Sequence, residues 1–247
     1  VNSNPNNPVI GFRSFGDDSV QVGKQVAAFV RGFEKSGVYS SIKHFPGHGD
    51  TDVDSHYGLP TIHKSLTELM NSDWIPFAEG IKAGATSVMV GHLNVPSLDP
   101  SGTPSSLSKV IIQDYLKGKL GFKGLVISDA LNMKAVSEKY GKGEVAVKAF
   151  EAGCDILVYS ENVGEAIQAI KKKVESGAIS EKEINERCSA LESEFDQKVL
   201  ADANDLALNL PDDSRLAGLS EDELSGLRQS AADRGQSGYT IPLLNYS

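Results

Sequence analysis

Cysteine is scarce in this chain. There are two in 247 residues, Cys154 and Cys188. That is too few for a disulfide scaffold, and the expected place of either thiol is a buried one. Basic side chains are in deficit as well, 24 Lys and Arg against 33 Asp and Glu, for a formal net charge of -9. Phosphate backbones are held by clustered cations, so no nucleic-acid face is expected. No apolar run is long enough to span a membrane, and no signal-peptide pattern is present, which leaves localisation open between cytoplasmic and exported. A helical HExxH and a cysteine cluster are both missing, so neither a metal nor any other cofactor is expected.

What is present concentrates in one stretch, residues 43–60, KHFPGHGDTDVDSHYGLP. It holds three of the five histidines, with three aspartates, three glycines and two prolines. Gly and Pro at this density make an ordered loop over a strand end, the kind of place where a rigid scaffold carries chemistry. Asp54 and His56 lie two residues apart on a non-helical segment. A turn there lets the Asp54 carboxylate orient the His56 imidazole for proton exchange with a substrate. The plainer alternative is a histidine that ties down the loop. His44, His48 and His56 together make a conceivable zinc set, but without the helical spacing that such sites use.

The rest of the chain reads as alternating strands and helices. Hydrophobic residues make up 40% of it, enough for a substantial core. Short apolar strands are expected near 38–43, 86–90, 124–128 and 155–159. Helices are expected over 19–36, 66–83 with a break at Pro76, 109–120 capped by Ser108, 143–152 closed by Gly153, 162–175 and 180–191. Phe29 and Phe33 on the first helix, and Trp74, are read as core packing. This pattern is α/β with a parallel sheet, either part of a barrel or an open doubly wound sheet. His92 stands at the exit of the second strand, a pocket candidate or a supporting hydrogen bond. Asp129 follows the third strand directly. A carboxylate there marks an active site in barrel folds, and the alternative is a cap for the next helix. Arg13 is either a loop arginine paired with Asp17 or Asp18, or a donor to ligand oxygens.

Three ordered motifs, NSNPNNPVIGFRSFGDD at 2–18, KHFPGHGDTDVDSHYGLP at 43–60 and GLVISDALNMKAV at 124–136, resemble glycoside hydrolase family 3, in its β-N-acetylglucosaminidase branch. The resemblance covers roughly residues 1–190. It implies a (β/α)8 barrel of the TIM type and a retaining exo-β-N-acetylglucosaminidase acting on cell-wall muropeptide or chitooligosaccharide ends. It implies that Asp129 is the nucleophile, that His56 with Asp54 is the proton donor, and that Arg13, Lys43 and His44 hold the sugar. His48 and His92 join them as substrate-contact candidates. The expected partner is an N-acetylglucosamine-containing saccharide.

Only about 190 residues match, while a barrel of this kind commonly needs about 250. The earlier strands are expected to lie outside this chain, whose first residues already read as a site loop. A partial barrel over 1–193 leaves strand edges and apolar faces that self-association or a partner chain must cover. Little turnover is therefore expected from this chain alone, and the alternative is a non-catalytic, carbohydrate-binding or structural remnant. Residues 194–247 are expected to form an acidic helical tail. From 195 onward it carries nine acidic and four basic side chains. The tail resembles a non-catalytic helical piece of thimet-type zinc oligopeptidases, and with no HExxH it implies no peptidase activity.

Overall fold

A computed structural model describes residues 1–7, 9–51, 58–160 and 162–191. The chain divides into Val1–Lys198 and Val199–Ser247, and everything described belongs to the first unit. The expected tail helices, and both Asp54 and His56, lie outside the described residues.

Three strands, β1 (Ser41–Phe45), β2 (Ser87–Val90) and β3 (Leu125–Ser128), pair in parallel in the order β1-β2-β3. Parallel neighbours need long crossovers, and helices supply them. Between β1 and β2 run α2 (Leu66–Asn71) and α3 (Trp74–Lys82). Between β2 and β3 runs a helix over Val110–Lys119 with wide π-type turns; at its end the Leu120 N–H reaches back five residues to the Tyr115 carbonyl at 2.9 Å. After β3 come α4 (Lys134–Ser137), α5 (Lys142–Ala152) and α6 (Val163–Glu175), with a further helical stretch over 181–191. α1 (Ser19–Lys35) precedes β1 and packs on α3.

Local chemistry explains several boundaries. Asp18 caps α1 by accepting from the Gln21 N–H, and Ser65 with Glu68 forms a reciprocal capping box on α2. Ser108 Oγ accepts from the Ile111 N–H at 3.2 Å. Gly153 closes α5 with φ 113°, a left-handed conformation that calls for glycine.

Two sequence expectations need correction. The break between α2 and α3 falls at Ser72 and Asp73, not at Pro76, which sits in the first turn of α3. Proline is tolerated there because first-turn N–H groups have no intrahelical acceptor to lose. The expected fourth strand is present only as one parallel bridge, Ile127 to Ile156. Side chains make two of its connections: Asp155 Oδ2 accepts from the Val126 N–H at 2.8 Å, and Ser128 Oγ accepts from the Val158 N–H at 3.0 Å. Tyr159 then turns into the left-handed region at φ 53°.

The core lies between the sheet and its helices. Phe45 meets Phe77 edge-on at 5.3 Å and Trp74 at 5.6 Å. Trp74 is fully buried, and its indole N–H donates to the Pro46 carbonyl at 3.0 Å. It packs, as its helical position implied. Phe29 and Phe33 do not. They are 54% and 42% exposed, and with Phe15 they form a run of rings at 5.3 and 5.8 Å along the outer side of α1. The helical period placed them on one face correctly, but among the described residues no element covers that face.

Candidate active site

The strands converge on the candidate residues at their carboxyl ends. His44 is in the last turn of the β1 ladder, His92 lies two residues past β2, and Asp129 follows β3. A register shift between Lys43 and Phe45 sets His44 out of the regular pairing with β2, the usual way a bulge re-aims a side chain. Its Nε2 lies 3.8 Å from Asp129 Oδ2. Burial pushes the His44 imidazole down to about 3, against the pull of the Asp129 carboxylate, and nearby His48, Lys43 and Arg13 lower it further. The ring is therefore neutral near pH 7, and its approach to Asp129 is a polar contact, not an ion pair.

Asp129 is held from several sides. Its N–H donates to the Val90 carbonyl at 3.0 Å, extending the β2–β3 pairing past the last strand residue. Its Oδ1 accepts from the Ala130 N–H at 2.9 Å. It does not cap the next helix, because the residue before α4 is Met133. The capping alternative raised by the sequence is thus removed, and Oδ2 is the oxygen that faces His44.

His48 belongs to a knot that fixes the loop after β1. Thr51 Oγ1 donates to the His48 carbonyl at 3.0 Å and accepts from Asn7 Nδ2 at 3.2 Å. A hydroxyl has one proton to give, so the 2.7 Å contact with His48 Nδ1 requires the imidazole to donate. Gly47 lets this loop turn at φ 130° against Asp73, whose Cβ would stand 2.8 Å from an added Cβ. Lys64 supports it from beneath, with Nζ 2.7 Å from Asp73 Oδ2 and 2.9 Å from Ser3 Oγ.

Arg13, Lys43, His44 and His48 line one cavity of about 330 Å³, with Phe15, Phe29 and Phe33 also lining it. Arg13 lies in an exposed turn, Gly11–Arg13, and Asp18, one of its suggested partners, is engaged in capping α1. Asp129 and His92 do not line this cavity; Asp129 is joined to it through His44. His92, expected as a substrate contact, is fully buried with both ring nitrogens engaged by the protein, so it has no face to offer a ligand. The sequence reading passed over Asn94 Oδ1, a buried acceptor with no hydrogen-bond partner among the described residues. Its position just past His92 at a strand exit was the available sign. Among the described residues, no group of His, Cys, Asp and Glu is disposed to hold a metal ion, and no helix is long and apolar enough to cross a membrane.

A parallel sheet wrapped by helices, with histidines and a carboxylate at the strand exits, is the arrangement of barrel enzymes, whose active sites sit at the carboxyl ends of the strands. Comparison with known proteins agrees. The Glycosyl hydrolase family 3 N terminal domain matches residues 1–193, and the chain belongs to that family. It is 41% identical over 169 residues to Beta-hexosaminidase A of Pseudoalteromonas piscicida, covering 64% of this chain and 28% of that protein. It is 40% identical over 168 residues to a Beta-hexosaminidase of Stenotrophomonas maltophilia (strain K279a), covering 67% of this chain and 49% of the relative. A solved glycoside hydrolase family 3 beta-N-acetylglucosaminidase from Paenibacillus sp. str. FPU-7 superposes with a TM-score of 0.78 at 40% identity, over 81% of this chain and 39% of that one. The chain thus spans half or less of the length of these relatives. Its fold is part of a (β/α)8 barrel, and the open doubly wound alternative is set aside.

Proposed function

We propose that this chain carries the catalytic half of a retaining exo-β-N-acetylglucosaminidase acting on N-acetylglucosamine-terminated cell-wall fragments or chitooligosaccharides. The observation that carries the reading is Asp129 at the exit of β3, with Oδ1 fixed by the Ala130 N–H and Oδ2 3.8 Å from neutral His44, which lines the same cavity as Arg13 and Lys43. The names of the relatives support the saccharide class.

In this reading Asp129 attacks the anomeric carbon as the glycosidic bond breaks. His56, oriented by Asp54, gives its proton to the leaving oxygen. The same His56 then takes a proton from water, which attacks the glycosyl ester, releases the sugar and frees the Asp129 carboxylate. Two displacements at one carbon retain its configuration. An imidazole thus stands where such enzymes commonly place a second carboxyl group. Arg13 and Lys43 donate to sugar hydroxyls, Arg13 with its paired N–H groups. His44 and His48 line the same cavity.

β1 is an edge strand among the described residues, and the cavity beside it is walled by exposed phenylalanines. We propose that a further β/α polypeptide pairs with this edge and closes the site. Misplacing a catalytic group by 1 Å costs about 100-fold in rate, so the 247 residues by themselves are expected to turn over slowly.

The test is hydrolysis of an aryl β-N-acetylglucosaminide, by this chain alone and joined to the remaining barrel segment of a relative. Asp129→Asn in the joined protein is expected to lower turnover on the order of 10⁴-fold. Undiminished turnover would remove Asp129 from its role. Saturable binding of N-acetylglucosamine with no turnover in either form would favour the carbohydrate-binding alternative. Robust turnover by a monomer of this chain, lost in Asp129→Asn, would overturn the need for closure.

A further inference from the structure

His92 takes up a supporting hydrogen bond, one of the two readings its sequence position allows, and its partners point to a specific task. The ring is fully buried. Its Nε2 lies 2.9 Å from the Ala130 carbonyl, and its Nδ1 lies 2.6 Å from Ser106 Oγ. A carbonyl can only accept, so Nε2 carries the proton. Burial lowers the proton affinity of the ring, which makes it neutral, so Nδ1 accepts and the Ser106 hydroxyl donates. One tautomer is thereby specified from both sides.

The supports of the ring are themselves fixed. Ser105 and Ser106 are fully buried. Ser105 Oγ accepts from the Leu93 N–H at 3.2 Å and reaches the Gly91 and Leu93 carbonyls at 3.0 Å. The two serines therefore hold the backbone on both sides of His92 as well as its ring. Residues 97–108, a Ser- and Pro-rich loop in the sequence, thus end in a clamp on the exit of β2.

The target of the clamp is Ala130. Its N–H holds Asp129 Oδ1 at 2.9 Å, and its carbonyl is held by His92. The flanking Leu131 N–H donates to the Val158 carbonyl at 2.9 Å. We propose that His92, set by Ser106, is a positioning residue for Asp129: it locks the peptide after Ala130, and through Ala130 the orientation of the carboxylate. The proposal rests on Asp129 being the nucleophile. A histidine that only fills space would affect stability and leave the Asp129–Ala130 contact unchanged.

The Ala130 amide proton reports that contact, because its NMR shift follows the ionisation of the carboxylate it touches. The experiment follows that shift against pH in the chain as it stands, and in His92→Leu, His92→Gln and Ser106→Ala, with urea midpoints as a check of folding. His44, Lys43, Arg13 and His48, the charged and titratable groups nearest the site, are left unchanged. In His92→Leu the pH-dependent excursion of the Ala130 amide is expected to fall by half or more. His92→Gln, whose amide can donate where Nε2 did, is expected to restore it, and Ser106→Ala to give an intermediate loss. A folded His92→Leu with an unchanged excursion overturns the proposal, and so does His92→Gln as impaired as His92→Leu. If His92→Leu does not fold, the other two variants decide it, and an unchanged excursion in Ser106→Ala overturns it. In the joined protein, His92→Leu is expected to lower kcat about 10- to 100-fold with little change in KM. Absence of turnover in every protein, the unsubstituted one included, counts against the hydrolase reading alone; the amide titration still decides the role of His92.

Discussion

The two sides of the sheet obey opposite rules. At the exits of β2 and β3, four buried polar side chains are matched: His92, Ser105, Ser106 and Ser128 are fully buried and each makes a hydrogen bond, while Asn94 Oδ1 has no partner among the described residues. Along α1 and the β1 edge, apolar side chains are left facing out, with Phe15, Phe29 and Phe33 at 45%, 54% and 42% exposure. An unmatched buried polar group costs about 1–3 kcal/mol, so these four side chains depend on their partners being in place. An exposed phenylalanine forgoes burial energy without violating anything, so the apolar face can wait for a covering surface. The contrast separates a finished part of the site, around Asp129, from a part that is still open, around Arg13 and Lys43.

The largest effect expected within this chain tests the core beneath the site. Trp74 is fully buried against Phe45 and Tyr115 and spends its N–H on Pro46. Trp74→Ala is expected to cost about 3–5 kcal/mol, read from urea unfolding. A cost under about 1 kcal/mol would mean that the core is not closed even here, and the comparison would fail.

A smaller effect is expected from acid. Burial lowers both His44 and His92 below the ordinary value of 6.5, His44 to about 3. Below pH 6.5 the unfolded chain takes up protons that the folded chain refuses, so stability falls as pH falls from 6.5 toward 3 and is fully present above 6.5. Each such group adds at most about 1.4 kcal/mol per pH unit to the slope. His44→Asn is expected to flatten the dependence of the urea midpoint on pH between 6.5 and 4.5. An unchanged slope would place His44 in water and enlarge the open region to include it.

Local patterns carried most of the fold. Apolar runs marked β1, β2 and β3, Ser108 announced a helix start, and Gly153 marked a helix end, because each of these is decided within a few residues. The fourth strand was over-read because its apolar run gave no sign that Asp155 and Ser128 side chains would take over ladder bonds. Phe29 and Phe33 were read as core because helical period says which residues share a face, and not whether anything packs on it. At the site, Lys43, His44 and Asp129 were legible from their places at strand ends. The task of His92 was not, since it depends on Ser106 and Ala130, 14 and 38 residues away, brought to it by the fold.

The smallest effect tests the open side. Phe29 keeps about half its surface in water, and complete burial of such a side chain is worth about 1.5–3 kcal/mol. Its remaining contacts are with other rings, Phe15 at 5.3 Å and Phe33 at 5.8 Å, which are themselves exposed. Phe29→Ser in this chain alone is therefore expected to cost only about 1 kcal/mol in urea unfolding, against several for Trp74→Ala. Joined to a complementary barrel segment, the same substitution meets a covered face, and its cost should rise toward the 3–5 kcal/mol of a buried phenylalanine. The rise on joining is the sharper measurement, since it compares one residue with itself. An equal, small cost in both proteins would show that the added polypeptide does not lie on α1, and a large cost in the chain alone would show that the face is already packed.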